Sequence, residues 1–253
     1  MPRLSVVIIT HNEETVILRC LKSVKPIADE IVVVDSGSTD QTAALCRESG
    51  CRVIPRMFDG YGKQKQFAVD QAANDWVFSL DADEVVTPEL QQEILNIKLN
   101  PETEMTVAGF RVPFSLCFMG KVLNHSGVGR EYHLRVFNRS LGKFTQAPVH
   151  EGIEINGRLG TLKGKIIHYS YRDIAHHIEK INTYTSRAAE GYMVKKRSFS
   201  KLWVAIKFPT SFISFYFIKL GILDGYPGFM WSFLAAVYAS LKIAKTIELK
   251  NKT

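Results

Sequence analysis

Two aspartates separated by one residue follow an apolar run in the stretch NDWVFSLDADEVV, residues 74–86. The run predicts a buried strand, whose alternation puts Asp81 and Asp83 on one face, where both can reach the same ligand. Mg²⁺ and Mn²⁺ prefer oxygen ligands and take one or two carboxylates together with substrate phosphates. These two residues therefore predict a divalent cation site. The alternative is structural, because Asp83 could also cap a helix that begins near Pro88.

Polar residues also follow the two earlier apolar runs, LSVVIIT and EIVVVD. The residues at these two ends are Thr10, Asn12, Glu13, Asp35 and Ser36. The SGS turn after Asp35 offers free backbone N–H groups and could receive a nucleotide. A plainer interpretation exists for some of these positions. Asp40 can serve as the N-cap of the helix that follows it, and Asn12 or Glu13 can cap the helix after the first strand.

The elements that must position these residues alternate in type over the first hundred residues. The predicted strands lie within residues 4–10, 30–40, 51–56 and 76–80, and the predicted helices lie within 13–24, 41–49 and 63–73. This order predicts a parallel sheet with right-handed crossovers. Because ligands of such sheets bind outside the carboxyl ends of the strands, we expect the three polar segments to converge on one rim.

The pattern changes to short strands and turns between residues 109 and 170, and returns to helix over 171–190. The short strands predict a mixed or antiparallel extension of the same domain. Three arginines in this stretch, Arg130, Arg135 and Arg139, could meet an anionic acceptor, but exposed strand positions are the preferred interpretation. The chain's four cysteines show no CxxC spacing, which favours reduced, buried thiols.

The C-terminal segment is basic and rich in aromatic residues. Ten lysines and arginines against two acids give residues 195–253 a charge of +8, so the rest of the chain carries −1 of the total of +7. Two long apolar stretches, 202–223 and 226–244, are interrupted and flanked by lysines. This pattern favours helices that lie in a membrane interface and contact anionic phospholipid. A buried helical hairpin and a true spanning pair are the alternatives.

Several segments together carry a resemblance to a known family. They are LSVVIITHNEE, EIVVVDSGSTDQT, GYGKQKQFAVDQAANDWVFSLDADE, APVHEGI, GKIIHYSYRDIAHHIEKINTYT and LDGYPGF. The first three resemble the nucleotide-binding half of the family 2 inverting glycosyltransferases, which have the α/β GT-A fold. Over nearly its full length the chain is similar to the bacterial lipopolysaccharide inner-core β-1,4-glucosyltransferase subgroup.

The resemblance implies an α/β domain organisation with three parts. Residues 1–190 would form the GT-A domain, with a Rossmann-like nucleotide-binding half over 1–100 and an acceptor half, a mixed sheet extension, over 101–170. Residues 191–253 would form a helical region that associates with the membrane.

The resemblance also implies roles for the rim residues. Asp35 would contact the uracil of a UDP-sugar, with Thr10, Asn12, Glu13 and Ser36 around the nucleoside. Lys65, sixteen residues before Asp81, stands where many members carry a basic residue that contacts the nucleotide. Asp81 would contact the ribose, and Asp83 would bind the Mn²⁺ or Mg²⁺ that bridges the diphosphate. His168 is either a further metal ligand or a histidine of the core.

The catalytic base is a separate question. Inverting transfer requires a base that removes a proton from the acceptor hydroxyl as it attacks the anomeric carbon. Many family members carry it in a Thr-Glu-Asp-like motif, which this sequence lacks. The nearest candidate is Glu151 in APVHEGI, with His150 beside it. The alternative for Glu151 is a surface acid at a turn before Gly152.

The expected function is transfer of a sugar, glucose by preference, from a UDP-sugar to a lipid-linked saccharide, a heptose of the lipopolysaccharide inner core. The expected location is the cytoplasmic face of the bacterial inner membrane. Two alternatives stay open: a transferase acting on polyprenyl or dolichyl phosphate, and an inactive, membrane-attached protein that binds nucleotide sugars. No nucleic-acid partner is expected, because the basic residues stand among membrane-like aromatic residues.

Overall fold

Residues 3–99, 107–129, 131–145 and 152–252 are described by a computed structural model. The chain divides into two compact units, which we call the sheet unit, Met1–Phe114 with Glu131–Tyr169, and the helical unit, Ser115–Arg130 with Ser170–Thr253.

Four parallel strands form one side of the main sheet, as the sequence predicts. They are β1 (Leu4–Thr10), β2 (Glu30–Asp35), β3 (Arg52–Pro55) and β4 (Trp76–Asp81). β1 lies between β2 and β4, with Thr10 opposite Asp35 and Ile9 opposite Asp81. The polar segments that follow these three strands therefore begin at the same rim of the sheet.

β1, β2 and β4 are buried on both faces, which explains their continuous apolar sequence, whereas β3 is partly exposed. Four helices cover them: α1 (Ile17–Val24), α2 (Thr42–Glu48), α3 (Tyr61–Asp70) and α4 (Pro88–Leu99). Ile8 belongs to an apolar cluster with side chains of α1, α2 and α4, whereas its neighbour Val7 belongs to a second cluster with side chains of α3. All four cysteines are buried, in agreement with the prediction.

The remaining strands pair mostly in antiparallel fashion. They are β5 (Glu84–Val86), β6 (Gly109–Phe118), β7 (Lys121–Val122), β8 (Tyr132–Asn138), β9 (Gly142–Phe144), β10 (Ile153–Ile155), β11 (Leu159–Thr161) and β12 (Ile166–His168). All of them except β9 and β10, which form a two-stranded sheet of their own, extend the main sheet. The main order is β3-β2-β1-β4-β8-β6-β12-β5. The antiparallel pair of β5 and β12 sets His168 opposite Glu84, next to Asp83.

Three helices make up most of the helical unit: α5 (Ile174–Val194), α6 (Lys201–Ile213) and α7 (Gly225–Lys252). The boundary that the sequence suggested, at residue 190, falls inside α5. The structure instead assigns the whole of α5 to the helical unit, because Ile181 packs in one apolar cluster with Leu234 of α7.

The connection between α6 and α7 is fixed by a buried acid. Asp224 is 2% exposed, and its carboxylate accepts hydrogen bonds from the backbone N–H groups of Asn124, at 3.2 Å, and His125, at 2.9 Å. Gly228 has no space for a side chain, because a Cβ there would overlap the backbone carbonyl oxygen of Gly221. The LDGYPGF segment therefore forms a tightly packed turn.

The membrane-spanning potential of the helices is limited. Within the described ranges, no single helix has the length and apolar composition needed to cross a membrane. Lys201–Ile218 and Gly221–Lys252, which are bent by 69° at their junction, meet those requirements only as a pair.

Glu30 gives the sheet unit a testable dependence on pH. Burial opposes its ionisation, but hydrogen bonds from the Ala73 N–H and from the Ser5 hydroxyl, together with Arg52, lower its pKa below the usual 4.5. Because its pKa is lowered on folding, the ionised Glu30 carboxylate stabilises the fold above about pH 4.5. This contribution to the free energy of unfolding is lost as the pH falls through the pKa that Glu30 has in the folded state. We expect Glu30→Gln to lower the free energy of unfolding by about 1 kcal/mol at neutral pH.

Urea unfolding of both proteins across the acid range checks this expectation. The difference between wild type and Glu30→Gln should shrink as the medium becomes more acidic. Glu48→Gln is a matched control, because Glu48 is exposed on α2. A difference for Glu30→Gln that stays constant from neutral pH into acid would contradict the assignment.

Candidate active site

The carboxylate of Asp81, at the end of β4, is held by two cations. Its oxygens Oδ1 and Oδ2 lie 3.0 and 3.1 Å from Nζ of Lys65, which is buried on α3. Nη2 of Arg135, on β8, lies 3.6 Å from Oδ2. Burial disfavours the charge of Asp81, yet Lys65 and Arg135 outweigh burial and lower its pKa to about 2. Asp81 is therefore an ionised acceptor at the rim.

Glu84 supports this arrangement from inside the protein. It is 1% exposed, its Oε1 lies 2.6 Å from Nη2 of Arg135, and its Oε2 accepts a hydrogen bond from the backbone N–H of Asp81 at 2.9 Å. Burial raises the pKa of Glu84, against the attraction of Arg135. Glu84 thus fixes both the backbone of Asp81 and the guanidinium beside it.

Asp83 faces His168 rather than the following helix. Its Oδ2 lies 3.0 Å from Nε2 of His168, and strand β5 separates Asp83 from α4. The interpretation of Asp83 as the cap of a helix near Pro88 is therefore wrong. The interpretation of His168 as a core residue is also not supported, since its side chain is 35% exposed. Burial opposes protonation of His168, but the Asp83 carboxylate raises its pKa.

The donor atoms of Asp83 and His168 suit a divalent cation of the Mg²⁺ or Mn²⁺ type. A carboxylate oxygen is preferred by both ions, and imidazole suits Mn²⁺. In the described part of the chain, no group of three or more histidine, cysteine, aspartate or glutamate side chains is placed to enclose a metal. The residues therefore fit a shared site, in which Asp83 and His168 would supply two ligands and the substrate phosphates and water would supply others.

The carboxylate of Asp35 organises the turn after β2. It accepts hydrogen bonds from the backbone N–H groups of Gly37, at 3.1 Å, and Ser38, at 3.0 Å, and from the Ser38 hydroxyl. Gly37 has φ +83°, a conformation that glycine adopts without strain. The hydroxyl of Ser36 accepts a hydrogen bond from Nε2 of Gln64 at 3.0 Å. Asp35 thereby gives the second rim segment a fixed shape.

The first rim segment is joined to the second by backbone and side-chain hydrogen bonds. Asn12 donates its backbone N–H to Oγ of Ser38 at 2.9 Å, and its Oδ1 accepts from the N–H of Thr39 at 2.8 Å. The backbone N–H of Glu13 donates to Oγ1 of Thr42 at 2.8 Å. Thr10 is buried, and its Oγ1 has no hydrogen-bond partner within the described residues. These contacts show how the rim is built, and the ligand contacts of these residues stay predictions.

Asp40 precedes the N-cap of α2, which is Gln41 and not Asp40 as predicted, but the carboxylate of Asp40 still contacts the start of that helix. Its Oδ1 accepts a hydrogen bond from the backbone N–H of Thr42, the first residue of α2, at 3.0 Å, and its Oδ2 accepts one from the N–H of Glu14 at 3.2 Å. Asp40 is therefore part of the scaffold of the rim.

Three predicted residues of the acceptor side, Arg130, His150 and the candidate base Glu151, lie outside the described residues. The preferred interpretation of Arg135 as an exposed strand position is wrong, because its side chain is only 11% exposed and pairs with Glu84. Arg139 serves the scaffold, donating to the backbone carbonyl oxygen of Ala72 at 2.6 Å.

Sequence reasoning missed the roles of Glu84 and Arg135 in the site. Strand alternation gives no signal for Arg135, because β8 shifts register against β6 there. Val136 lies opposite Phe110, and Leu134 lies opposite Arg111. The burial of this arginine requires a buried acid, which Glu84 supplies.

Comparisons with known proteins agree with this architecture. Residues 5–150 match the family model described as glycosyl transferase family 2. The chain is 31% identical to an uncharacterized glycosyltransferase of Rickettsia typhi, over 100% of this chain and 89% of that protein. It is 34% identical to the lipopolysaccharide core biosynthesis glycosyltransferase LpsC of Rhizobium meliloti, over 97% of this chain and 92% of that protein.

Among solved structures, glucosyl-3-phosphoglycerate synthase of Mycobacterium tuberculosis, in complex with Mn²⁺, UDP and phosphoglyceric acid, matches 45% of this chain and 43% of its own. The TM-score is 0.38 and the sequence identity is 24%.

Proposed function

The chain belongs to glycosyltransferase family 2, and from that premise we propose that it transfers a sugar, glucose by preference, from a UDP-sugar to a lipid-linked saccharide. The proposed reaction depends on a divalent metal and inverts the anomeric configuration. The observation that carries the proposal is the pairing at the rim: Asp81 is held ionised by Lys65, and Asp83 stands 3.0 Å from His168. Asp81 is then available to a ribose hydroxyl, and Asp83 is available to a cation.

The proposed division of labour follows from the charges at the rim. Asp83 and His168 would hold Mn²⁺ or Mg²⁺, which when bound neutralises the negative charge that develops on the leaving diphosphate. Asp81, with its pKa lowered to about 2, is an acceptor for a ribose hydroxyl at every physiological pH. Asp35, Ser36, Thr10, Asn12 and Glu13 are proposed to surround the nucleoside. Lys65 is proposed to act through Asp81, since its ammonium lies on that carboxylate.

A base must still remove the proton of the acceptor hydroxyl as that oxygen forms the new bond to the anomeric carbon and the bond to UDP breaks on the opposite face. We propose Glu151 for this step. Its position in the sequence, shortly before Gly152 in the acceptor half, supports the proposal.

The proposed acceptor is a heptose of the lipopolysaccharide inner core. The 34% identity with LpsC, which extends over 92% of that protein, supports a saccharide of this class. Incubation with UDP-glucose and a heptose-terminated core acceptor, followed by NMR of the product, tests it. We expect one new β-linked sugar and release of UDP. Retention of the donor's anomeric configuration, or transfer only to a polyprenyl phosphate, would exclude the proposed reaction.

We also propose that the protein works at the cytoplasmic face of the bacterial inner membrane. The support is a set of large apolar side chains on α6, on α7 and between them, each at least 38% exposed. They are Leu202, Trp203, Ile206, Ile213, Phe217, Ile218, Leu220, Ile222, Leu223, Tyr226, Phe229 and Phe233. Exposed apolar side chains accompanied by lysines favour binding to an anionic interface.

Vesicle flotation tests the membrane proposal. The triple variant Trp203→Ser, Ile218→Ser, Leu223→Ser should bind anionic vesicles at least about tenfold more weakly, because it removes three large apolar groups from the interface. The control removes three exposed apolar residues of the sheet unit, Leu18→Ser, Met57→Ser and Leu99→Ser, and should bind as wild type does. Equal losses in the two triple variants would count against a membrane-binding face on α6 and α7.

A further inference from the structure

A cavity of about 400 Å³ lies in the helical unit among α5, α6 and α7. Its size is within the range of small-molecule sites. The wall is mainly aromatic and aliphatic, and its principal members are Tyr171, Phe215, Trp231, Leu234, Tyr238 and Ala239. The rim residues Asp81 and Asp83 do not line it, so this cavity is a feature separate from the candidate active site.

Three lysines line the same cavity, one from each helix: Lys180, Lys207 and Lys242. Lys180 donates to the backbone carbonyl oxygen of Ser170 at 2.8 Å, and Nζ of Lys242 lies 5.3 Å from the centre of the Tyr238 ring. Over the described ranges, no aspartate or glutamate lies within ion-pair distance of any of the three. The cavity therefore carries positive charge without a neighbouring carboxylate to balance it.

Two buried polar atoms in the cavity wall also have unused hydrogen-bonding capacity. Nδ1 of His177, a residue that is 5% exposed, and Nε1 of Trp231 have no hydrogen-bond partner within the described residues. The centroid of the His177 ring lies 3.9 Å from that of Tyr171 and 5.5 Å from that of Trp231, and the Tyr171 and Trp231 centroids are themselves 6.0 Å apart. A buried polar atom without a partner is costly, and both of these residues line the cavity.

We propose that this cavity binds an anionic phospholipid, with the phosphate among the three lysines and part of an acyl chain against the aromatic wall. The indole N–H of Trp231 and the imidazole of His177 are hydrogen-bonding groups for the headgroup. A phospholipid is favoured over a free anion because most of the wall is apolar. The exposed apolar side chains of α6 and α7 also lie on two of the helices that line the cavity. The inference goes beyond the proposed transfer reaction and does not depend on it.

Titration calorimetry of the full-length protein tests the proposal without any sugar donor. The probe is a short-chain phosphatidylglycerol below its critical micelle concentration, compared with phosphatidylcholine of the same chain length and with inorganic phosphate. We expect phosphatidylglycerol to bind at least about tenfold more tightly than either. The double variant Lys207→Gln, Lys242→Gln should lose about 30-fold in affinity, because each lysine near an anionic headgroup contributes to binding.

The matched control is Lys201→Gln, Lys250→Gln, which removes the same charge from α6 and α7 at two exposed positions that do not line the cavity. Its affinity should stay within about twofold of wild type. Equal losses in the two double variants would show a diffuse surface attraction and overturn the proposal. Displacement of the lipid by inorganic phosphate at a similar concentration would overturn it as well, since the site would then recognise an anion alone.

A second measurement locates the acyl chain of the bound lipid. A brominated acyl chain should quench the fluorescence of Trp231, which lines the cavity. That component of the quenching should disappear in Trp231→Phe. Identical quenching in wild type and Trp231→Phe would show that the chain binds elsewhere.

Discussion

Replacing Asp83 with alanine is expected to lower the rate of metal-dependent sugar transfer by about a thousandfold. Loss of one group that stabilises developing negative charge at an active site costs on the order of 10²- to 10³-fold. Asp83 is also one of only two protein ligands proposed for the cation, so its removal should weaken the affinity for Mn²⁺ in the presence of UDP. Steady-state kinetics and titration of Mn²⁺ measure the two effects.

The fold should tolerate this change, because the side chain of Asp83 is 21% exposed and its carboxylate pairs with the partly exposed His168. The control is Asp75→Ala. This change removes an exposed carboxylate that directly precedes the first residue of β4, at the end of the strand away from Asp81. That variant should keep wild-type activity. An Asp83→Ala enzyme with wild-type activity and unchanged dependence on Mn²⁺ would rule out Asp83 as a metal ligand.

Replacing Glu84 with alanine should have the largest effect on stability, about 3 kcal/mol. Removing one partner of a buried ion pair leaves the other charge without compensation, which costs about 3–5 kcal/mol. Among the acids that the structure describes, Arg135 would then have only Asp81 within ion-pair distance, at 3.6 Å, in place of the 2.6 Å contact with Glu84. The backbone N–H of Asp81 would also lose its acceptor. Urea unfolding measures the loss.

A double variant separates the ion pair from simple loss of volume. Replacing a buried ion pair by apolar residues of similar size is often neutral or stabilising. Glu84→Leu with Arg135→Leu should therefore recover at least about half of the stability that Glu84→Ala loses. Glu89→Ala, in the first turn of α4, is the control for helix-surface effects. Glu84→Ala within about 0.5 kcal/mol of wild type would contradict the role given to the pair.

Much of the rim could be predicted because each strand and the polar residues at its end are adjacent in the sequence. β1, β2 and β4 are apolar runs that each stop at a polar segment, and parallel topology then brings Thr10, Asp35 and Asp81 to one edge. The same reasoning predicted the antiparallel extension over residues 109–170, which is present as β6, β8 and their neighbours. The GT-A type of α/β mixed sheet that the resemblance implied is confirmed.

The rest of the site depends on pairing between distant segments, which no local pattern encodes. His168 lies beside Asp83 because β12 pairs with β5, and Arg135 reaches Glu84 because β8 lies next to β4. Position in the sequence alone could not decide whether His168 is a metal ligand or a core residue, and it favoured an exposed position for Arg135. The boundary at residue 190 followed the change in composition, whereas the structural boundary at residue 170 follows the packing of α5 on α7.

The geometry of Lys65 also changes how the nucleotide site is understood. The resemblance implied that Lys65 contacts the nucleotide, but its ammonium lies 3.0 Å from Asp81, inside the protein. Its charge keeps Asp81 ionised and oriented, so we expect its effect on nucleotide binding to pass through that carboxylate. Asp81 and Lys65 therefore form one ion pair at the rim, and we expect substitutions of either residue to act through it.

Release of UDP from a panel of UDP-sugars, measured with and without Mn²⁺ on the wild-type protein, is the decisive experiment for metal-dependent sugar transfer. We expect turnover of one donor, UDP-glucose, that requires the metal and is stimulated by the saccharide acceptor. Binding of UDP that depends on Mn²⁺ without turnover of any donor would contradict the proposed transfer, and would identify the protein as one that binds nucleotide sugars without transferring them.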